Sequence, residues 1–293
     1  MSLSKIDIEQ FKKHGITPEN IHQQLNIFSN GIPFVKIFKA GSIGNGIESI
    51  AKADQNKLIK FYELNNQKKE IIKFVPASGA ATRMFQFLFM FLNEYNLKES
   101  KLDAFLSDKE NKLLATFINS LKDFAFFNSI QKKTKELYPD FESATEGART
   151  YLLVKTMLED KGLNYRNLPK GLIPFHKYDT HTTTAFEEHL YESAYYASVN
   201  NNINVHFTIA KRHLSFFERE LDIIKNRVFN KTKTKLHVTY SFQKKETDTV
   251  AVNSDNTLFK NANNECVFRP SGHGALIENL NDLDADIVFI KNI

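Results

Sequence analysis

The sequence predicts an α/β fold with a mainly parallel sheet, a helical N-terminal region and a helical insertion. Three observations predict it. The run Ile71-Ile72-Lys73-Phe74-Val75-Pro76-Ala77 reads as a buried strand, and a small-residue loop and a helix follow it. Residues 97–160 show only helical periodicity. From Leu168 onward, strand-like and helix-like segments alternate. A chain of 293 residues with 42% hydrophobic and 25% charged residues buries a sizeable core and is not disordered. That length allows about two domains, or one large domain with additions. Its aromatic core must come from 26 Phe and ten Tyr, because Trp is absent.

Residues 1–69 read as a helical region. Ile6, Ile8, Phe11 and Ile16 are spaced as one helix face. Thr17-Pro18-Glu19-Asn20 starts a second helix with Pro in its first turn, and Ile50 to Leu64 is a third. Gly41, Gly44 and Gly46 punctuate the loop before it, without the spacing of a dinucleotide fingerprint. Residues 70–293 read as the α/β core, interrupted by the helices of 97–160. After the first strand, Met84, Phe87, Leu88 and Phe91 form a helix face. Gly171 to Phe175 is a short extended piece. Thr184–Ala197 and Leu214–Val228 read as helices, and Asn204–Ile209 and Leu236–Phe242 as strands. Glu265–Phe268 and Asp286–Ile290 read as strands around a helical turn at Ala275–Leu280. In open sheets of this kind ligands sit at the carboxyl ends of the strands.

Charge and cysteine content narrow the partners. The net charge is +5, with basic residues scattered among acids, so no nucleic-acid partner is expected. The densest basic group, Lys231, Lys233 and Lys235, reads as one face of an edge strand. There is no signal-peptide-like run and no stretch near ~18 apolar residues. The expectation is a cytoplasmic protein without a membrane partner. The single cysteine, Cys266, excludes an internal disulfide and reads as a small buried hydrophobe. His176, His181 and His189 lack the spacing of a helix-borne metal site, and Glu187, Glu188 and His189 read as a solvated helix face with one inward position.

Four segments carry candidate chemistry. In Ser78-Gly79-Ala80-Ala81-Thr82-Arg83, small side chains let a polyphosphate approach backbone N–H groups, and Arg83 offers bidentate bonds to phosphate oxygens. Lys170, between Pro169 and Gly171, is a positive charge on a stiff segment. Gln243, at a strand end, has the donors and acceptor to read a base edge. Gly272-His273-Gly274 lets a planar ligand pack against backbone.

Taken in order, these motifs resemble a known pattern. Phe74–Met84 (F-V-P-A-S-G-A-A-T-R-M) resembles the L-x-G-G-x-G-T-R-L loop of sugar nucleotidyltransferases. Leu168–Pro174 (L-P-K-G-L-I-P) is similar to the P-K-G segment of UDP-N-acetylhexosamine pyrophosphorylases. Ser241–Gln243 and Pro270–Leu276 resemble the later Gln and P-G-G-H-G motifs of UTP:sugar-1-phosphate uridylyltransferases. Over nearly its whole length the chain most closely resembles an uncharacterised bacterial family, a domain of unknown function. Its members share P-A-S-G-A-A-T-R-M and R-P-G-G-H-G-A-L-I-E-N-L. Two departures stand out: Lys170 follows Gly79 by 91 residues, several times the usual spacing, and the loop has Ala where the enzymes have Gly.

The resemblance implies a nucleotide-diphospho-sugar transferase-like (GT-A/Rossmann-like) core. It implies transfer of the nucleotidyl group of UTP to a sugar 1-phosphate, with release of pyrophosphate and Mg²⁺ as cofactor. In that scheme Ser78, Gly79, Ala80, Ala81 and Thr82 hold phosphates, and Arg83 and Lys170 neutralise charge at the reacting centre. Gln243, Gly272, His273 and Gly274 hold base and ribose. The metal-binding Asp of those enzymes would follow Ile293, so the sequence predicts a chain truncated at its C-terminus. The alternative is a non-catalytic nucleotide or nucleotide-sugar binder whose helical insertion contacts a protein partner.

Overall fold

Residues 71–76 form a strand, Ile71–Pro76, whose β-branched and aromatic side chains suit a buried sheet. The computed structural model describes residues 3–79, 81, 84–98 and 101–293, and it is a mixed α/β fold with small sheets. The largest sheet runs in the order Ile287–Ile290, Ile71–Pro76, Asn202–Ile209, Ser198–Val199, and Lys235–Phe242 also pairs with Asn202–Ile209. Ser198–Val199 is an antiparallel partner, turned back by Asn200 and Asn201 in left-handed backbone.

The remaining strands of this sheet advance together. The N–H groups of Asp286 and Ile287 bond to Glu70 O at 2.9 and 3.1 Å, and that of Lys291 bonds to Phe74 O at 3.2 Å. Lys235 N–H bonds to Asn201 O at 2.8 Å, and further along His206 Nδ1 meets Thr239 Oγ1 at 2.8 Å. Ala77 N–H bonds to Thr208 O at 2.8 Å, where both of their strands finish. The carboxyl ends of Ile71–Pro76, Asn202–Ile209 and Ile287–Ile290 therefore share one edge.

The chain divides into two units, the boundary falling inside three strands. The first comprises residues up to Ile72 with Ser241–Phe289. Helix Lys5–His14 starts with a capping box between Ser4 and Asp7 and stops at Gly15, whose φ of +86° ends it in left-handed backbone. Helix Pro18–Asn30 is capped by Thr17, as the sequence predicts. Phe11, Ile16, Ile21 and Leu25 form a core with Val250 and Cys266. Ile6, expected on the same face, is exposed, because the helix turns only Phe11 and Asp7 inward. Gln10 bonds both backbone groups of Cys266, and Gln24 bonds Val250 N–H and Asp248 O. These bonds join residues 241–289, which the sequence places with the α/β core, to the N-terminal helices. Strand Thr249–Val250 pairs antiparallel with Phe268–Arg269, and helix Ile277–Asn281 follows. The predicted strand at Glu265–Phe268 thus forms only at its end.

The second unit is Lys73–Tyr240 with Ile290–Ile293. Helices Gln86–Glu94, Leu102–Leu106, Lys112–Asn119, Phe127–Leu137 and Glu146–Leu158 enclose a core built on Leu88, Phe91, Phe117, Ile130, Val154 and Met157. Among the described residues of 97–160 there is no strand, in line with the helical periodicity. A hairpin, Pro174–Lys177 with Thr182–Thr184, precedes helix Ala185–Tyr196. Phe186, Phe207 and Phe217 pack that helix and helix Leu214–Thr232 on the sheet, with ring centres 4.7 and 5.2 Å apart.

Two expectations are corrected in this unit. Lys231, Lys233 and Lys235 do not share a strand face. Lys231 ends the helix, Lys233 caps it in left-handed backbone, and the strand begins only at Lys235. Glu187 and His189 are both buried, because their helix packs against both the sheet and helix Leu214–Thr232. Arg227 of the latter grips Glu187 with two bonds of 2.7 and 2.6 Å.

Candidate functional site

The strand Ile71–Pro76 delivers Ala77, Ser78 and Gly79 to the carboxyl edge of the sheet. Pro76 closes the strand, since proline has no N–H for the ladder. Gly79 is exposed, and a methyl added to its Cα would meet nothing within 4 Å among the described residues. Neither packing nor a left-handed φ requires glycine there, and the open space leaves the backbone approachable. Ala80, Thr82 and Arg83 lie outside the described residues.

Lys170 arrives beside this loop from 91 residues away. Its N–H bonds to Gly79 O at 3.3 Å, and Ala81 N–H bonds to Leu168 O at 3.3 Å. The two segments are thus stitched together by backbone, with the helical layer between them in sequence. Ala81 is buried, and its amide is already engaged. At Gly171 an added methyl would stand 2.8 Å from Ile293 Cδ1, the tip of a side chain that can shift, and 3.5 Å from Phe217. So the end of strand Ile287–Ile290 also reaches the lysine segment. Lys211 and Arg212, both exposed, follow strand Asn202–Ile209 at the same edge. Sequence reasoning missed them, although a basic pair directly after a strand was a usable signal.

Lys73 of strand Ile71–Pro76 is the buried member of an ionic cluster. Lys73, fully buried, donates to Glu192 Oε2 at 2.6 Å and to His189 O at 3.2 Å, while Lys291 also pairs with Glu192. Burial pulls the Lys73 ammonium below its ordinary range, and the Glu192 carboxylate opposes that pull. Burial, with Lys73 next, holds His189 down at about 4, so its imidazole is neutral, and its Nδ1 has no hydrogen bond among the described residues. A lysine inside an otherwise apolar strand was the sequence signal for this cluster.

The other two motifs meet in the first unit. Gln243 Nε2 donates to Ser271 O at 3.3 Å. Ser271 Oγ bonds to Thr247 O at 2.7 Å and meets Thr249 Oγ1 at 2.5 Å. Asn279, buried in the following helix, donates to Phe242 O at 2.8 Å and Ser241 Oγ at 3.1 Å. Ser271 and Asn279 thereby fix the end of strand Lys235–Phe242 where Gln243 leaves it. Gly272, His273 and Gly274 are exposed, and added methyls on the glycines would meet nothing within 4 Å among the described residues. Among the described residues no group of three or more His, Cys, Asp or Glu stands together to hold a metal ion. No described helix is long and apolar enough to cross a membrane.

Comparisons with curated proteins and with solved structures gave no match. A comparison with protein families gave one that takes in the chain from Ser4 to its last described residue. Residues 4–293 match the family described as "Domain of unknown function (DUF4301)", and the chain belongs to that family.

Proposed function

We propose that this chain binds a nucleoside triphosphate, UTP in preference, and transfers its nucleotidyl group to a sugar 1-phosphate. One observation carries the proposal. Gly79, Lys170 and Ile293, far apart in sequence, meet at the carboxyl ends of the adjacent strands Ile71–Pro76 and Ile287–Ile290. Counting the co-directional strands in chain order, the sheet reads 3-2-1-4 from Lys235–Phe242 across to Ile287–Ile290. In a doubly wound sheet strands 3-2-1 make one nucleotide-binding half, and its junction with strand 4 is the switch point, where ligands settle. This supports a nucleotide-diphospho-sugar transferase-like core.

In the proposed reaction, a phosphate oxygen of the sugar 1-phosphate attacks the α-phosphorus of the nucleotide. A new P–O bond forms, the α–β anhydride bond breaks, and pyrophosphate leaves with the electron pair. Such a step needs positioning and charge neutralisation more than covalent help. Ser78 and Gly79 offer an approachable backbone, and Arg83 adds charge by the resemblance. Lys170 carries a charge held by its own backbone bond. The resemblance alone assigns base and ribose to Gln243, Gly272, His273 and Gly274, which belong to the first unit. Mg²⁺ enters as the counter-ion of the nucleotide's phosphates, because the described residues provide no cluster for a resident ion.

The test is thermal unfolding with Mg²⁺ and, in turn, UTP, CTP, ATP and UDP-sugars, followed by a pyrophosphate-release assay with sugar 1-phosphates. A nucleotide at ~100 times its dissociation constant stabilises by about 2.7 kcal/mol. Stabilisation by uridine nucleotides with release of pyrophosphate is the expected result. Lys170→Ala should then lower turnover roughly a hundredfold. Stabilisation without turnover would select the non-catalytic binder, and no stabilisation by any nucleotide would end both readings.

A further inference from the structure

Between Gly31 and Ala51 the described chain has only the two-residue strands Ser42–Ile43 and Gly46–Ile47, and its large apolar side chains face solvent. Phe34 is 100% exposed and Phe38 94%, and Ile32, Val35 and Ile37 are exposed by at least three quarters. The helix that follows, Lys52–Asn65, buries no residue at all. Leu58, Phe61 and Leu64, at successive three-residue steps, are each more than half exposed. A 14-residue helix is marginal in water by its own hydrogen bonds and needs a packed face.

We propose that residues 31–65 form an interface on which a second copy of this chain docks. The area fits. Phe34, Phe38 and Phe61 alone present about 500 Å², and the aliphatic residues between them extend that. A stable interface needs about 800 Å² on each partner. The chemistry fits as well, because homodimer interfaces are the more apolar kind. The charges select the occupant. The segment carries Lys36, Lys39, Lys52, Lys57 and Lys60 together with Glu48, Asp54 and Glu63. A surface of mixed sign can pair with itself across a two-fold axis. An anionic lipid surface would instead face three carboxylates.

The experiment is sedimentation velocity on the full chain across a wide concentration range. Wild type should sediment as twice 33.8 kDa. Phe34→Asp with Phe38→Asp should raise the dimer dissociation constant roughly a hundredfold or more. Ile223→Asp, at a comparably exposed apolar site on helix Leu214–Thr232, should leave it unchanged. Hydrogen exchange on wild type gives a second readout that needs no variant: amides of residues 31–65 should slow as concentration rises. A monomer at every concentration overturns the proposal. So does a dimer indifferent to the double substitution, and so does a monomer that co-sediments with phosphatidylglycerol vesicles.

Discussion

At Gly162 an added methyl would stand 1.8 Å from the Thr156 carbonyl oxygen, a backbone atom with nowhere to go. Gly162→Ala should therefore cost about 3 kcal/mol in a urea titration, with any nucleotide affinity preserved once folded. Gly79→Ala should do the reverse. Its methyl meets open space, so stability should hold, while UTP binding measured by calorimetry should weaken because the methyl occupies the approach. The two glycines look alike in the sequence, since a one-letter string does not show which neighbour stands over each Cα. His189 gives a pH signature. The unfolded chain takes up this proton below pH 6.5, and the folded chain only below about 4. Folded stability should fall as pH drops through that window, by about 3 kcal/mol from this group. His189→Gln should flatten that part of a denaturation-versus-pH curve. The burial that lowers His206 and His213 adds slope of the same sign in both proteins.

Among the elements, helix Ala185–Tyr196 is held to the sheet by a carboxylate between two lysines. Glu192→Gln should cost about 3 kcal/mol, because buried Lys73 loses its charged partner. Lys73→Met, similar in length and apolar, should be far milder. The double variant should recover most of the loss, and a cycle of four urea titrations reads this directly. Most elements were legible from periodicity and caps. Thr17-Pro18 and Thr184 start their helices where the residue types place them. The hairpin at Pro174–Thr184 was not legible, because His176, Lys177 and Thr182 show no apolar alternation. The lysines at 231–235 misled because charge spacing alone does not distinguish a helix end from a strand.

For the whole molecule, the decisive fact is that the first unit is assembled from both ends of the sequence. Phe11, Ile16, Ile21 and Leu25 complete their core with Val250 and Cys266. Residues 1–72 produced alone should consequently show little helix by circular dichroism, whereas the intact chain should be strongly helical. Adding back 241–289 should raise the signal. The Gly79 and Lys170 segments were legible as separate motifs, and the structure joins them by backbone bonds. Ile293 was not legible, because only the strand order brings it to that edge.

The backbone bonds joining 79 to 170 and 81 to 168 have one more consequence. The helical layer leaves and re-enters the α/β body through two chain segments lying side by side. The layer shares its core with Ile173 and Phe175 beyond the second segment, yet the length of chain between the two segments is decoupled from their geometry. Lengthening, shortening or nicking a surface turn in that layer should leave Gly79 and Lys170 in register. The layer is accordingly the place to graft a reporter or an affinity handle without moving the residues proposed to meet phosphate.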